Sequence, residues 1–95
     1  MNKYEAMLIV KPDLSEDERK VVFAQINDAV TKLQGEVVSG AVWSEKRKLY
    51  FPLKKYHEGV YYLLNFTLPA EVVQDLRTAY KLNESILRVL VSRAA

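Results

Sequence analysis

The chain has 95 residues, of which 49% are hydrophobic and 27% charged, and its net charge is +2 at pH 7. This length and composition predict a single folded domain over residues 1–95 with a modest core. The sequence contains no cysteine, which excludes disulfides, thiolate nucleophiles and the common structural zinc sites. The apolar run over residues 6–10 is too short to cross a membrane. These features predict a cytoplasmic protein that does not associate with membranes.

The first third of the chain predicts a strand followed by a helix. Residues 3–11 are apolar and favour β structure until Pro12 ends the run. Ser15 and Glu18 have the spacing of a capping box at a helix start, and apolar residues then recur at steps of three and four. Gly35 ends this pattern, so the helix is predicted over residues 15–34.

The middle of the chain predicts a hairpin and a second helix. Residues 36–50 and 60–68 have the character of antiparallel strands, with a loop over residues 52–59 between them. Pro69 suits the first turn of a helix, because its missing N–H costs nothing there. The apolar stripe of that predicted helix consists of Val72, Val73, Leu76, Ala79 and Tyr80.

The last predicted element is a strand over residues 86–93. Alternation along a strand divides its side chains between two faces. Leu87, Val89 and Val91 are predicted to face the helices, and Ile86, Arg88, Leu90 and Ser92 to face away from them. The element order β-α-β-β-α-β predicts an α+β, ferredoxin-like domain whose four-stranded antiparallel sheet carries two helices on one face. The other face would be open and partly apolar, as expected of a surface that meets a partner.

Residues 43–57, WSEKRKLYFPLKKYH, form the most unusual segment. It holds five of the chain's fourteen Lys and Arg residues, one acid and several aromatic rings. Clustered cations attract phosphates, and flat rings such as Trp43 and Tyr56 can stack on unpaired bases. The segment therefore predicts an RNA contact. The alternative is that its cations are solvated surface charges and its aromatic side chains belong to the core.

The inventory of reactive residues argues against an enzyme. His57 is the only histidine, and it falls in the predicted loop with no second histidine or cysteine to form a metal site. The acids at positions 16–18 crowd a helix start, where they favour the helix dipole. The glycines are isolated and form no phosphate-binding loop. Neither a catalytic site nor a cofactor is predicted.

Three stretches of the chain are similar to one known family. Lys11-Pro12-Asp13-Leu14 resembles its opening, residues 47–55 (RKLYFPLKK) resemble its R-x-L-A-Y-P-I-x-K stretch, and residues 82–93 resemble its last strand. That family is ribosomal protein six of the bacterial small subunit. The resemblance implies a structural, non-enzymatic protein that binds the central domain of 16S ribosomal RNA together with ribosomal protein eighteen. Trp43 departs from the pattern, because it stands one position before the usual tryptophan.

The resemblance and the charge pattern together predict which residues form the binding sites. Arg47, Lys48, Lys54 and Lys55 would neutralise backbone phosphates, and Tyr56 would stack. Lys3 and Tyr4, at the start of the first strand, are further candidates for RNA contact. Arg88 and Leu90, on the open face of the sheet, are candidates for the protein partner.

Two other interpretations use the same topology. One is a ferredoxin-like homodimer that binds a small molecule or regulates another domain, with the open sheet face joining the two copies. The ribosomal interpretation predicts instead a monomer when the protein is free. The other is an RNA-recognition motif, but residues 58–65 lack the aromatic signature of its third strand. Sequence-specific capture of bases by the sheet face is therefore not predicted.

Overall fold

A computed structural model describes residues 1–53 and 55–94 of the chain. Its elements are β1 (Asn2–Val10), α1 (Glu16–Lys32), β2 (Glu36–Leu53), β3 (Tyr56–Leu68), a 3-10 turn (Ala70–Val72), α2 (Val73–Leu82) and β4 (Ile86–Arg93). The strands form one sheet in the order β2-β3-β1-β4, and every pairing is antiparallel. The predicted ferredoxin-like α+β arrangement is confirmed.

The core lies between the two helices and one face of the sheet. Alternate residues of β1 and β3 point into it, together with one stripe of each helix. Its buried side chains are Ala6, Leu8, Val10, Val22, Ile26, Val30, Val60, Tyr62, Leu64, Phe66, Leu68, Leu76, Tyr80 and Ile86. Tyr80 is the largest of those with almost no exposure, and its hydroxyl donates a hydrogen bond of 2.8 Å to the Ile26 carbonyl. This bond satisfies the one polar group that the ring carries into the core.

The predicted capping box starts α1. The Glu18 amide donates to the Ser15 hydroxyl at 3.2 Å, and the Ser15 amide donates to the Glu18 carboxylate at 2.9 Å. Hydrogen bonds to the carboxylate from the Ser15 backbone and, next, from the Ser15 side chain hold the pKa of Glu18 below its ordinary value. The helix ends within two residues of the predicted position.

The predicted loop over residues 52–59 is wrong for most of its length. Leu53 pairs with Tyr56, Lys48 with Glu58 and Arg47 with Gly59, so β2 and β3 continue as a two-stranded ribbon beyond the rest of the sheet. Pro52 lies between Lys48 and Leu53, where the pairing register of β2 with β3 is irregular. A proline is tolerated there because β2 is an edge strand.

The faces of β4 also differ from the prediction at its first two residues. Val10 pairs with Ile86 while Ile9 pairs with Arg88, so Leu87 occupies a bulge. A bulge reverses the alternation once, and Ile86 therefore lies in the core, with 3% of its surface exposed. Beyond the bulge, Val89 and Val91 pack against the core as predicted.

The second helix starts later than predicted. Pro69 has an extended backbone, with φ −62° and ψ 138°, and precedes the 3-10 turn instead of forming the first helical turn. Leu76 and Tyr80 supply the buried part of the α2 stripe, whereas Ala79 is exposed. Within residues 1–53 and 55–94, no helix is long and apolar enough to cross a membrane.

Candidate nucleic-acid and partner interface

Among the described residues, the sheet face opposite the helices is largely open, although Ile9 on that face is only 6% exposed. On β3, Val60, Tyr62 and Leu64 point into the core, so the intervening Tyr61 and Leu63 project from the other face. The same alternation places Met7 of β1 and Leu90 of β4 on that face. We call it the open face, and it carries Leu90, one of the predicted partner contacts.

One row of apolar side chains crosses all four strands of the open face. Ala41 pairs with Leu63, Leu63 with Met7, and Met7 with Leu90. We call these four residues the apolar row. Leu90, at its β4 end, is 54% exposed, and Ala41 is exposed at its β2 end. A contiguous apolar strip of this kind is typical of a surface that another molecule covers.

The rows on either side each include a polar or charged side chain. Toward the hairpin, Ile9 lies between Tyr61 and Arg88, which is exposed. In the opposite direction, Glu5 lies between Asn65 and Ser92. The apolar row therefore has polar groups along both sides, the arrangement of an interface with a hydrophobic centre and a polar rim.

The predicted cations gather on the ribbon formed by the ends of β2 and β3. Arg47, Lys48 and Lys55 are exposed there, and we call them the basic hairpin. Lys55 has a φ of 74°, which places it in the left-handed region at the turn. Within residues 1–53 and 55–94, the ion pair joins Arg19 to Glu45 at 3.6 Å and includes none of the three hairpin cations.

Part of the predicted site falls outside the described residues. Lys54 is one such position, and the side chains of Tyr50 and Phe51 are likewise outside the part of the chain that the structure describes. The predicted phosphate contact of Lys54 stays a prediction.

Arg47 lies against two aromatic rings. Its guanidinium carbon is 4.7 Å from the centroid of the Trp43 ring and 5.8 Å from that of the Tyr61 ring. The two ring centroids are 5.8 Å apart, with planes inclined at 51°. Trp43 is 53% exposed and falls at a shift in register between Val42 and Ser44. We call Trp43, Arg47 and Tyr61 the Trp43 platform.

Tyr56 stands at the base of the hairpin turn. Its hydroxyl donates a hydrogen bond of 3.0 Å to the Asp13 carboxylate in the loop between β1 and α1. This bond to a negatively charged acceptor raises the pKa of Tyr56 above its ordinary value. The ring is half-buried, so it offers less free surface for stacking than the sequence suggested.

Lys3 and Tyr4 do not join the other predicted RNA contacts. Lys3 pairs with Thr67 at one end of β3, whereas the basic hairpin adjoins the other end. Tyr4 points to the core side, where its ring stacks on Phe66 with centroids 5.8 Å apart. Tyr4 therefore has a structural role that its place in the sequence did not indicate.

Some residues of both surfaces were not predicted from the sequence. Tyr61 and Leu63 could have been assigned to the open face from the strict alternation of β3. Met7 follows the same alternation in β1. That alternation cannot be recognised from the sequence, because the run over residues 3–11 is apolar at nearly every position. The contact between Arg47 and Trp43 had no signal, because it depends on a bulge in β2.

A family model described as ribosomal protein S6 matches residues 3–93. A curated protein named small ribosomal subunit protein bS6, from Caldanaerobacter subterraneus subsp. tengcongensis, is 36% identical over 93 residues, covering 98% of this chain and 97% of that protein. The protein of the same name from Thermoanaerobacter pseudethanolicus is 39% identical, also over 93 residues, with the same coverage of 98% and 97%.

Solved structures agree on the fold. The crystal structure of 30S ribosomal protein S6 from Thermotoga maritima matches with a TM-score of 0.87 and 24% identity, covering 98% of this chain and 87% of that one. The P2 domain of the chemotaxis kinase CheA, solved in complex with the response regulator CheY from Thermotoga maritima, matches with a TM-score of 0.62 and 15% identity, covering 98% of each chain. Since two such different proteins share the architecture, the fold alone does not assign a function.

Proposed function

The chain belongs to the ribosomal protein S6 family, and from that premise we propose that it binds the central domain of 16S ribosomal RNA together with ribosomal protein eighteen. Members of this family are structural, non-enzymatic components of the small ribosomal subunit. The observation that carries the proposal is the presence of two neighbouring surfaces of different chemistry. One is the basic hairpin, and the other is the apolar row.

The basic hairpin supplies the RNA contact. Arg47, Lys48 and Lys55 project from an extended ribbon, and Lys54 adds a fourth cation to the same stretch of sequence. Contacts to phosphate oxygens position a protein on RNA without reading its sequence. A ribbon that carries three or four such contacts suits the shape of a helical junction in RNA.

The apolar row supplies the protein contact. Its exposed end is Leu90, and Arg88 stands beside it in the next row. Covering the row would remove apolar surface from water, and the polar rows on either side would fix the register of the partner. Ribosomal protein eighteen is the proposed occupant. The free protein is a cytoplasmic monomer in this proposal, and residues 1–95 act as one domain.

The two contacts depend on each other energetically. Three or four phosphate contacts give modest affinity that falls steeply with salt. A partner that binds both this protein and the RNA raises the effective concentration of this protein at its RNA site. Joint binding is therefore expected to be much tighter and less sensitive to salt than binding of this protein alone.

The test is to measure binding of the purified protein to a central-domain fragment of 16S ribosomal RNA, with and without ribosomal protein eighteen, at low and near-physiological salt. Tight binding that survives near-physiological salt only when the partner is present supports the proposal. Failure to bind under every condition overturns it. Size-exclusion chromatography at micromolar concentration tests the competing homodimer, which would elute as a persistent dimer.

A further inference from the structure

Trp43 keeps about half of its surface in contact with solvent. A tryptophan in a small domain normally contributes its large apolar area to the core. Here 53% of the residue remains exposed, on β2 at the edge of the sheet. The register shift at this position places the ring on the open face, beside Tyr61. Leaving so much apolar area in water forgoes stabilisation, which indicates that the ring meets a ligand.

The ring is held in place by its two partners on the platform. Arg47 lies 4.7 Å from the centroid of the Trp43 ring, within the range of a cation–π contact. Tyr61 contacts the same ring at an angle of 51°, which limits its rotation. An aromatic ring that is already oriented loses little conformational entropy when a flat ligand stacks on it.

We infer that the Trp43 platform binds an unpaired nucleotide of the RNA, with the base stacked on Trp43 and the adjacent phosphate paired with Arg47. The inference rests on the proposed RNA-binding function and specifies its ligand as single-stranded RNA. Stacking uses the π-face that every base has, so this site carries no sequence preference. It also differs from base capture on central strands, because Trp43 lies on the edge strand β2.

The charges around the ring favour RNA over a protein as its occupant. Arg47 belongs both to the Trp43 platform and to the basic hairpin. An RNA backbone with a phosphate paired to Arg47 therefore passes the ring. An aromatic face beside a line of cations is the arrangement by which proteins bind single strands. The apolar row lies farther along β2 toward Ala41 and remains free for the protein partner.

The chain offers a direct probe, because Trp43 is its only tryptophan. Its fluorescence is measured at low salt during titration with a ten-nucleotide single-stranded oligouridylate, and separately with an RNA duplex of equal charge. The expected result is strong quenching by the single strand and much weaker quenching by the duplex. Equal quenching by both, or no quenching by a single strand that binds, overturns the inference.

The second readout is affinity for labelled RNA. Trp43→Ala should weaken binding of the oligouridylate by about 5- to 150-fold, the effect of losing one stacked base. Trp43→Phe should recover part of that loss. Arg47→Lys keeps the charge but lacks the planar group, so it should also weaken binding, though less than Trp43→Ala does. Chemical denaturation of each variant checks that the domain still folds.

The outcomes separate this inference from the proposed function. If the central-domain fragment binds but Trp43→Ala binds the oligouridylate as the unaltered protein does, the inference fails and the proposed function stands. If Trp43→Ala instead weakens only the contact with ribosomal protein eighteen, the ring belongs to the protein interface and the inference is overturned. If no RNA binds with or without the partner, both fail.

Discussion

Tyr56 and Asp13, which are 43 residues apart in the chain, are joined by a hydrogen bond of 3.0 Å from the tyrosine hydroxyl to the carboxylate. One partner belongs to the start of β3 and the other to the loop between β1 and α1. Together with the ion pair between Arg19 of α1 and Glu45 of β2, this hydrogen bond ties the ribbon that bears the basic hairpin to the rest of the domain. This bond therefore limits the motion of the cations relative to the rest of the sheet.

Replacing Tyr56 by Phe removes this bond and keeps the ring. We expect backbone amides of residues 56–59 to exchange about two- to tenfold faster, because local opening of the ribbon loses one hydrogen bond. The midpoint of global unfolding should change little, since the bond is at the surface. Hydrogen exchange followed by NMR provides the measurement. Asp13→Asn keeps an acceptor oxygen and should have a smaller effect; unchanged exchange in Tyr56→Phe would contradict the anchoring role.

Gly40 makes room for a buried tyrosine. A Cβ atom at this position would collide with the Tyr62 hydroxyl and lie 3.1 Å from the Cζ atom of the same ring. The ring cannot turn aside easily, because it is 5% exposed and stacks on Phe23 with centroids 4.5 Å apart. We expect Gly40→Ala to destabilise the domain by about 1–3 kcal/mol, the usual cost of overpacking a core. Urea denaturation measures this free energy of unfolding.

A double-mutant cycle checks the cause. Tyr62→Phe removes the atom that the new methyl group would meet, so Gly40→Ala should cost about 1 kcal/mol less in that background. Gly35 provides the matched control, because a Cβ there would lie 2.5 Å from the Thr67 carbonyl oxygen and its nearest neighbours would not include Tyr62. The changes in the free energy of unfolding caused by Gly35→Ala and by Tyr62→Phe should be additive. Additivity in the Gly40 cycle as well would refute the steric explanation.

The capping box predicts a pH dependence of stability. The bond from the Ser15 backbone, followed by the one to the Ser15 side chain, holds the pKa of Glu18 below its ordinary value in the folded protein. A carboxyl with a lowered folded pKa stabilises the fold above its unfolded pKa, and that contribution disappears as the pH falls through the folded value. Glu18→Gln should therefore be less stable than the unaltered protein at pH 7, with the difference shrinking as the pH falls below about 4.3, the unfolded value for glutamate, and vanishing below the folded pKa.

Denaturation with urea at several pH values between 7 and 3 measures this difference. Glu16→Gln changes an acid in the same first turn that does not form the capping box. Its effect on the free energy of unfolding should be smaller than that of Glu18→Gln. If the two variants had the same free energy of unfolding across the pH range, helix-dipole attraction alone would account for the contribution of Glu18 to stability.

Local sequence patterns predicted the order of the helices and strands correctly. They did so because each pattern favours the same element that the packing of the folded domain requires. The capping box at Ser15 starts α1, and the alternation over residues 60–68 places the core face of β3. The ribbon beyond Gly59 could not be predicted, since Pro52 argues for a loop unless the strand is known to lie at an edge. The orientation of Ile86 depends on a bulge opposite β1, and pairing irregularities of this kind leave no mark in a single strand's sequence.

The site was predictable in its charges and less so in its contacts. The basic segment identified Arg47, Lys48 and Lys55, because clustered charge is visible in sequence alone. The apolar row could not be read in the same way, since Met7, Leu63 and Leu90 become neighbours only through the strand order. Tyr4 shows the converse error, in which a residue close in sequence to Lys3 turns to the opposite face.

The basic hairpin predicts a change in the salt dependence of RNA binding. Lys48→Gln combined with Lys55→Gln removes two exposed charges without taking an ion-pair partner from any acid in the part of the chain that the structure describes. The slope of log K against log salt should fall by about 0.7–0.9 for each phosphate that the variant no longer neutralises. Lys20→Gln with Lys81→Gln, on the helix side, is the control and should leave the slope unchanged. Equal slopes for both pairs would show that the hairpin lysines do not touch the RNA.

The apolar row predicts that a charge at Leu90 blocks the protein partner. Leu90 is 54% exposed and pairs with Met7 on the open face. In Leu90→Glu, docking of ribosomal protein eighteen would bury a carboxylate against apolar surface, which is strongly unfavourable for an unpaired charge. We expect co-purification with the partner to be abolished, while the free energy of unfolding of the free domain changes by less than about 1 kcal/mol, as for a surface substitution.

Leu82→Glu is the matched control, because Leu82 is 78% exposed and belongs to α2, on the helix side of the sheet. It introduces the same charge and should leave co-purification intact. Loss of co-purification with ribosomal protein eighteen in both variants would indicate a general effect of charge instead of a specific interface at the apolar row. Retention of the partner by Leu90→Glu would move the protein interface elsewhere on the domain. A large drop in stability in Leu90→Glu alone would mean that the apolar row serves the fold and is not a docking surface.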